Sequence, residues 1–446
     1  MKKASFYRWL WPGLGLKRCL FLGTLGLVSL CTGLTLLTNA HWALGAEMAV
    51  VDLCRYWLEW SPDPFWIDWA FVALGLICLG VTLYRAAYSL YTATTAHPGE
   101  GMLEVISQGR QRNYGLKIVA IGGGTGLSTL LRGLKTHTSN ITAVVSVSDD
   151  GGSSGRLSKE MGMLPPGDIR NCITALADDE NLLTELFRYR FHNGEGLEGH
   201  SFGNLFLAAL NDMYDDFEEA LKKGSKILAI RGRVLPATLT ATTLCAKLRD
   251  GRVIKGESDI PKAGGEVTDA FLEPDNCEAP PEVIKAIAEA DAIILGPGSL
   301  YTSVMPNLLI KNIAKALKQA NAPIIYVCNV MTQTGETDGY TAADHLQAIN
   351  HHVKKQLVDY AIVNVDPPHL LREKYEKEGC HPVKPDLQRL RSMGVVPVPS
   401  NLVKEDQLVR HDPDFLAETI VDLLSQIKFK SAEHTKSTSG HIRLAK

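Results

Sequence analysis

Apolar positions along the chain form two distinct patterns. Residues 20–38 contain no charged residue, and a second, mostly apolar run covers residues 67–88. Beyond residue 116 the apolar runs are much shorter, and helical patterns separate them. About 20 apolar residues in a helix span a bilayer core, whereas short apolar runs are typical of buried strands. The pattern predicts two transmembrane helices followed by an α/β domain.

The distribution of charge predicts how the two spans are oriented. Five basic residues precede the first run, more follow the second, and the loop between them is mainly acidic. By the positive-inside rule, both ends lie in the cytoplasm. We therefore expect residues 1–91 to anchor the chain in the plasma membrane, with the main domain cytoplasmic. Two alternatives stay open: a cleaved signal peptide, or one span plus an interfacial helix, which would invert the topology.

The region after the anchor alternates between strand and helix patterns. Strands are predicted at residues 117–121, 141–147, 292–296, 323–330, 360–365 and 395–399. Strands that alternate with helices favour a Rossmann-like, doubly wound parallel sheet. Between residues 168 and 257 the pattern changes to helices and a hairpin around Asp250-Gly251, which we interpret as an insertion. The domain is expected at 116–430, after a linker at 92–115 and before a disordered tail at 431–446.

Composition excludes several classes of protein. The chain has 446 residues, of which 21% are charged, and a formal net charge of −3. Nothing in this balance indicates nucleic-acid binding. The nine cysteines never occur as C-x-x-C, which argues against a zinc ribbon or a thioredoxin-type site. We expect reduced, mostly buried thiols.

A run of glycines directly follows the first predicted strand. It comprises Gly122, Gly123, Gly124, Thr125 and Gly126. Without Cβ atoms, the backbone N–H groups can approach an anion, and the following helix directs its positive end there. The motif is not a P-loop, because no Gly-Lys-Ser/Thr follows, and it fits the dinucleotide fingerprint poorly. It predicts a phosphate-binding turn.

The segment after the second strand carries most of the remaining polar chemistry. Asp149 and Asp150 form a pair that is suited to a divalent cation or a ribose hydroxyl. A glycine-serine stretch then offers further donors, and we expect it to be a flexible loop. Its candidate ligand contacts are Gly152, Ser153, Ser154 and Arg156. Next, Asp168 is expected to cap the helix that carries Arg170 and Asn171, and both arginines would offset phosphate charge.

Further candidates follow later in the chain. His200, Ser201 and Asn204 stand at the start of an apolar helix, where His200 is a candidate base or phosphate ligand and Ser201 a candidate N-cap. The other candidates lie at later strand ends or in the C-terminal region: Gly296, Gly298, Ser299, Asn329, Thr332, Tyr375 and Arg410. Ligands of open α/β sheets bind at strand ends, so these loops are expected to set specificity.

Taken together, these blocks resemble the gluconeogenesis factor family, which is related to 2-phospho-L-lactate transferase. The blocks are "GGGTGLSTLLRGLK", "SDDGGSSGRL", "LPPGDIRNC", "GHSFGNL", "LGPGSLYTS" and "NVMTQTGETDGYT", within residues 116–426. The N-terminal spans resemble a membrane-anchored variant. One departure is Ser158-Lys159, because a basic residue is expected directly after Leu157.

The resemblance implies a Rossmann-like fold that binds a nucleotide diphosphate. The implied ligand is a UDP-sugar, UDP-N-acetylglucosamine, and the implied role is regulation of carbon partitioning, gluconeogenic growth and cell shape. The glycines and serines named above carry over as ligand contacts. Tyr375 and Arg410 carry over as uracil- or sugar-side contacts.

Three functions remain open at this stage. The first is a non-catalytic UDP-sugar-binding regulator. The second is a nucleotide-diphosphate-dependent transferase, in which Asp149, Asp150 and His200 are the catalytic candidates and the two aspartates would hold Mg²⁺. The third is a nicotinamide-dependent redox enzyme, because Asp149 lies about where the acidic ribose ligand would. The sequence leaves open the protein partner and whether the chain forms a homo-oligomer.

Overall fold

The computed structural model describes residues 16–37, 64–96, 115–178, 181–406 and 408–442. The chain divides into two compact units, Met1–Asn113 and Tyr114–Lys446. The first unit contains helices α1 (Leu16–Leu37) and α2 (Pro64–Ala96). The expected linker lies outside the described residues except for its first residues, which continue α2, and its last, residue 115.

Helices α1 and α2 approach each other closely through glycines. A Cβ added at Gly75 would stand 2.7 Å from the Leu30 nitrogen and 2.8 Å from the Gly26 carbonyl oxygen. The Ser29 hydroxyl also donates to the carbonyl of Phe71 at 2.9 Å. Small residues at such contacts are typical of packed helix pairs in membranes.

The apolar stretches of the two helices differ in length, and only one is long enough to cross a bilayer. Within α2, Asp68–Arg85 is long and apolar enough to cross a bilayer, whereas in α1 the apolar stretch Phe21–Thr35 is shorter. The expectation of two spans therefore stays a prediction, with one candidate span among the described residues. Both helices expose large apolar side chains, including Phe21, Val28, Ile77 and Leu83.

The second unit is built on a seven-stranded sheet. Its order is β10-β9-β8-β7-β1-β2-β3, and every neighbouring pair is parallel. The strands of the unit are β1 (Ile118–Gly122), β2 (Ile141–Val145), β3 (Arg233–Pro236), β4 (Thr243–Leu248), β5 (Val253–Lys255), β6 (Val267–Glu273), β7 (Ala292–Leu295), β8 (Ile324–Val327), β9 (Tyr360–Asn364), β10 (Val396–Ser400), β11 (Val403–Glu405) and β12 (Val409–His411). The parallel α/β fold and all six predicted strands are confirmed.

Helices connect the strands of this unit. They are α3 (Gly124–His137), α4 (Gly152–Met161), α5 (Gly167–Leu176), α6 (Asn181–Arg188), α7 (Phe202–Tyr214), α8 (Phe217–Ile227), α9 (Pro281–Ala288), α10 (Met305–Leu309), α11 (Lys311–Gln319), α12 (Ala342–Val353), α13 (Arg372–Lys377), α14 (Leu387–Ser392) and α15 (Pro413–Ile442). A π-helix, Leu300–Val304, immediately precedes α10. All residues of β1, β2, β7 and β8 are buried, and their side chains contribute to two apolar clusters. One cluster contains Ile121 and the other contains Ile294.

The insertion lies between β3 and β7 and forms its own antiparallel sheet. Its order is β5-β4-β6, and the β4–β5 hairpin confirms the turn predicted around Asp250-Gly251. Leu244, Leu248 and Leu272 from this sheet pack into the same apolar cluster as Ile121 of the main sheet. The insertion is thus joined to the main sheet by a shared core.

Several local expectations differ from the structure. The glycine-serine stretch expected to be a loop is the start of α4, because Gly151 N-caps it and the small residues are compatible with the first turn. The apolar spacing of residues 303–319 predicts a helix after β7, but a π-helix and two short helices form across this segment. Helix α15 continues to Ile442 and so runs through most of the segment expected to be disordered.

Candidate functional site

Two glycine turns meet at the carboxyl ends of β1 and β7. Strand order reverses between these strands, which makes this crevice the topological switch point where open α/β sheets bind ligands. A Cβ at Gly126 would lie 2.5 Å from the Pro297 carbonyl oxygen, and one at Gly298 would lie 3.4 Å from that of Gly123. The predicted glycines Gly122 to Gly126, Gly296 and Gly298 therefore lie together, and only glycine fits this approach at Gly126.

Several helices begin at this edge without a side-chain cap. Helix α3 has Gly123 as N-cap, α4 has Gly151, and the π-helix has Ser299, and none of these residues caps through its side chain. Thr125 is exposed in the first turn of α3. Apart from the Gly124 N–H, which bonds to Asp168, the N–H groups of these first turns and the positive ends of the helix dipoles favour an anion here.

Four carboxylates approach the same edge. Asp149 Oδ1 accepts the N–H of Gly151 at 3.0 Å, and Asp150 Oδ1 accepts the N–H of Ser258 at 2.9 Å. Asp168 accepts the N–H of Gly124 and, at 3.3 Å, the hydroxyl of Ser146. From the insertion, Glu257 accepts the Ser148 hydroxyl at 2.8 Å.

Burial and mutual repulsion raise the pKa values of three of these carboxylates, those of Asp149, Asp168 and Glu257. Burial and the charge of Asp149 raise the pKa of Asp168 to about 6. Burial raises the pKa of Asp149, and burial with the charges of Asp168 and Asp149 raises that of Glu257 well above its ordinary value. The site therefore carries excess negative charge that a proton or a cation would relieve.

The expectation that Asp168 caps its own helix is wrong. Helix α5 begins at Gly167 with Pro166 as N-cap, and Asp168 lies within the first turn. Its carboxylate turns instead to the glycine turn after β1. Arg170, on the same helix, donates to the Asn171 side-chain oxygen at 2.8 Å and to the Ser201 hydroxyl at 2.6 Å. Arg170 thus connects the carboxylates to the start of α7.

A hydrogen-bonded group forms around His200. Ser153 Oγ lies 2.9 Å from His200 Nδ1, and Asn204 Nδ2 donates to Ser153 Oγ at 3.0 Å. The Ser201 hydroxyl accepts the backbone N–H of Asn204, which confirms the predicted N-cap. Burial, followed by the charge of Arg156, lowers the pKa of His200. His200 is therefore neutral at pH 7.

The loops after β7 and β8 form a second polar network. Gln333 donates to Ser299 Oγ at 2.5 Å, and Asn329 donates to Gln333 at 3.4 Å. Glu336 accepts the Thr302 hydroxyl at 3.3 Å, while its other oxygen is buried without a partner in the described part of the chain. Burial raises its pKa to about 7.

Some of the remaining predicted residues form hydrogen bonds that hold the fold together, and others lie at the edge of the site. Thr332 is buried, and its hydroxyl accepts the N–H of His381 at 2.9 Å. Ser154 Oγ accepts the N–H of Gly167 at 2.9 Å. The Tyr375 hydroxyl accepts the N–H of Val409, so Tyr375 lies beside Arg410. Strand β12, which carries Arg410, packs against α3.

Glu257 is a site residue that no sequence motif predicts. It lies in the insertion, far along the chain from the motifs, and no local glycine or histidine distinguishes it. Among the residues that the structure describes, no group of three or more His, Cys, Asp or Glu residues could enclose a metal ion. A bound Mg²⁺ would thus take one or two of these carboxylates and complete its shell with phosphate oxygens and water, as Mg²⁺ commonly does.

Fold and site define an open α/β protein with an anion-binding crevice at its switch point. The model of 2-phospho-L-lactate transferase CofD matches residues 118–403. A relative from Nostoc sp. is 49% identical over 94% of this chain and 92% of its own length. The gluconeogenesis factor of Bacillus subtilis is 48% identical over 70% of this chain and 98% of its own length. The chain belongs to the gluconeogenesis factor family and contains a CofD domain.

A solved structure agrees with this assignment. The crystal structure of a Bacillus halodurans protein of the upf0052 family is 48% identical, with a TM-score of 0.67. It covers 69% of this chain and 99% of its own length. That protein consists almost wholly of the counterpart of the α/β unit.

Proposed function

We propose that the protein is a membrane-tethered cytoplasmic regulator that binds a UDP-sugar, UDP-N-acetylglucosamine, and acts in carbon partitioning, gluconeogenic growth and cell-shape control. The observation that carries the proposal is the meeting of two glycine turns and uncapped helix starts at the switch point. Such a crevice suits a diphosphate. Tyr375 and Arg410 would lie towards the uracil or the sugar.

Mg²⁺ fits this proposal because it would supply positive charge beside the carboxylates and the diphosphate. Asp149, Asp150, Asp168 and Glu257 would otherwise repel the ligand phosphates. The cation would neutralise charge on both sides, and Asp149 and Asp150 remain its candidate ligands.

A second candidate function is transfer chemistry of the 2-phospho-L-lactate transferase type. The proximity of His200 to Ser153 and of the carboxylates to the glycine turn favours it. A neutral imidazole is suited to accept a proton from an alcohol acceptor. We place regulation first because relatives that this chain matches over more than nine-tenths of their length are named gluconeogenesis factors.

Titration calorimetry tests the proposal. The full chain, purified in detergent micelles, is titrated with UDP-N-acetylglucosamine with and without Mg²⁺, and a Gly124→Asp variant is titrated in parallel. Gly124 has φ +63°, so the variant both strains the turn and adds negative charge. Micromolar binding that the variant loses supports the proposal. Absence of binding by folded protein refutes it.

The same samples separate the alternatives. Release of UDP only in the presence of an alcohol acceptor would favour the transferase. Stronger thermal protection by NAD than by UDP would favour the redox enzyme.

The membrane tether is part of the proposal. Its support is the close α1–α2 packing and the apolar surface that both helices expose. Both helices would then cross the plasma membrane, and the α/β unit would lie in the cytoplasm. Extraction with alkaline carbonate and labelling of introduced cysteines from either side test this, and release of the chain by carbonate would contradict it.

A further inference from the structure

Four arginines near the start of α7 form no ion pair with a carboxylate among the residues that the structure describes. Arg156 donates to the carbonyl of Glu198 at 2.8 Å, Arg190 donates to that of Gly199 at 2.9 Å, and Arg170 donates to the Ser201 hydroxyl at 2.6 Å. In the described part of the chain, neither these three nor Arg188 forms an ion pair with a carboxylate. Their positive charge is therefore available to a ligand.

These arginines are close enough to influence one another. Burial, and then the charge of Arg190, lowers the pKa of Arg170, and Arg188 acts in the same direction. Arg156 and Arg190 likewise help to lower the pKa of His200. Asp168 and Asp149 offset part of the Arg170 charge, and the like charges that remain together are typical of a site that binds an anion.

The hydrogen bonds around His200 are compatible with a tautomer that leaves one ring nitrogen free to donate. Asn204 donates to Ser153 Oγ, which leaves the single hydroxyl proton of Ser153 able to point to His200 Nδ1, and we adopt this tautomer. The neutral ring then carries its proton on Nε2, and this N–H has no partner among the described residues. The buried side-chain oxygen of Asn204 also lacks a partner there.

An open cavity of about 430 Å³ adjoins this group. Its lining includes Arg156, Asn193, Gly194 and Gly196, together with Glu195 and Glu198. Glu160 is a further glutamate near this group, and its charge opposes the lowering of the His200 pKa. None of these three glutamates pairs with the arginines in the described structure, so they limit the net positive charge without occupying the donors.

We propose that His200, Arg156 and Arg190 form a second anion subsite, which binds the phosphate group of a phosphorylated small molecule beside the UDP-sugar. Arginine forks and a neutral imidazole N–H together donate several hydrogen bonds to one tetrahedral anion. The subsite is separate from the glycine turns, and Arg170 lies between the two. The proposal rests on the proposed function only for the identity of the first ligand.

The test uses the full chain in detergent micelles and inorganic phosphate as the probe. Wild type, Arg190→Gln and the matched control Arg249→Gln are titrated with phosphate, with and without UDP-N-acetylglucosamine. Arg249 is an exposed arginine that pairs with Glu266 in the insertion. We expect Arg190→Gln to weaken phosphate binding tenfold or more, while Arg249→Gln and the UDP-sugar affinity of both variants stay unchanged.

A second measurement follows the His200 imidazole directly by NMR. A bound phosphate stabilises the protonated ring, so the pKa of His200 should rise when phosphate is added to wild type and should rise less in Arg190→Gln. Loss of the Arg190 charge alone raises the pKa of His200 without phosphate, so a purely structural role for Arg190 would leave the phosphate-induced rise unchanged.

Each remaining outcome overturns a defined part of the idea. Phosphate that fails to bind, or binds Arg190→Gln as well as wild type, refutes the subsite. Competition between phosphate and UDP-N-acetylglucosamine assigns these arginines to the nucleotide instead. Acetate binding as tightly as phosphate refutes the preference for a phosphate group. Phosphate binding without any UDP-sugar binding refutes the proposed function and leaves the subsite intact.

Discussion

Replacing Gly126 by alanine tests whether the two glycine turns form one ligand site. The added Cβ would lie 2.5 Å from the Pro297 oxygen and 2.9 Å from Gly298 Cα. Both are backbone atoms, so no side chain can rotate away. The loop after β7 must therefore move by roughly 0.5–1 Å to reach ordinary contact distance, and overpacking of this kind costs about 1–3 kcal/mol.

That displacement should affect ligand binding more than folding. Hydrogen bonds from backbone N–H groups are effective over a range of only about 0.5 Å in donor–acceptor distance. A turn that moves by this much loses its fit to one half of a diphosphate. We expect UDP-N-acetylglucosamine affinity to fall at least tenfold, which corresponds to about 1.4 kcal/mol.

Gly122→Ala provides the matched control within the same motif. A Cβ at Gly122 would find its nearest neighbour, Gly296 Cα, at 3.7 Å, an ordinary contact. Calorimetry should therefore show near-normal affinity for Gly122→Ala and weak binding for Gly126→Ala, with thermal melts confirming that both variants fold. Equal affinities in the two variants would refute the argument that close approach of the turns creates the site.

Three other predictions follow from buried acids and from the helix pair. Asp168→Asn should raise the free energy of unfolding at pH 7.5, since a pKa of about 6 against an ordinary 3.8 corresponds to on the order of 3 kcal/mol from burial and from repulsion by Asp149; an unchanged or lower free energy of unfolding in urea titrations would contradict this. Glu336, whose pKa is raised to about 7, should make wild type lose stability as pH rises from about 4.5 through 7. Glu336→Gln should flatten this slope in urea titrations, and an equally steep slope in the variant would contradict the burial of the Glu336 carboxylate. Gly75→Ile should lower the yield of intact membrane-inserted chain, because a side chain at this position meets α1. A Cβ at Gly80 would have no atom within 4 Å, so Gly80→Ile should leave the yield unchanged. Equal yields of the two variants on immunoblots would count against the packing.

The strands of the main sheet were predictable because of where they lie. Ile294 and Ile325 belong to strands buried on both faces, which leaves continuous apolar runs in the sequence. The edge strand β3 was not recognised, because its four residues include the exposed Arg233 and end in Pro236. A short edge strand has few apolar positions from which to predict it.

The site was predictable only where one motif follows one strand. The glycine turns and Ser201 belong to local patterns with a direct physical meaning, and the structure places them as expected. Glu257 reaches the carboxylates through the fold of the insertion, which no local pattern encodes. Likewise, Asp168 bonds to the turn at Gly124 instead of capping α5, because tertiary contact decides its partner.

Attachment of Glu257 and Ser258 to the insertion couples binding to local stability. These residues supply one carboxylate and one N–H donor to a constellation otherwise held by the main sheet. If the sheet of β5, β4 and β6 opened transiently, Glu257 and Ser258 would leave the crevice while β1 and β7 stayed paired. Such an opening is a subglobal unfolding event, which amide hydrogen exchange detects as a separate cooperative unit. A ligand that contacts both the main sheet and the insertion would slow amide exchange in the insertion, so ligand binding could be measured far from the glycine turns.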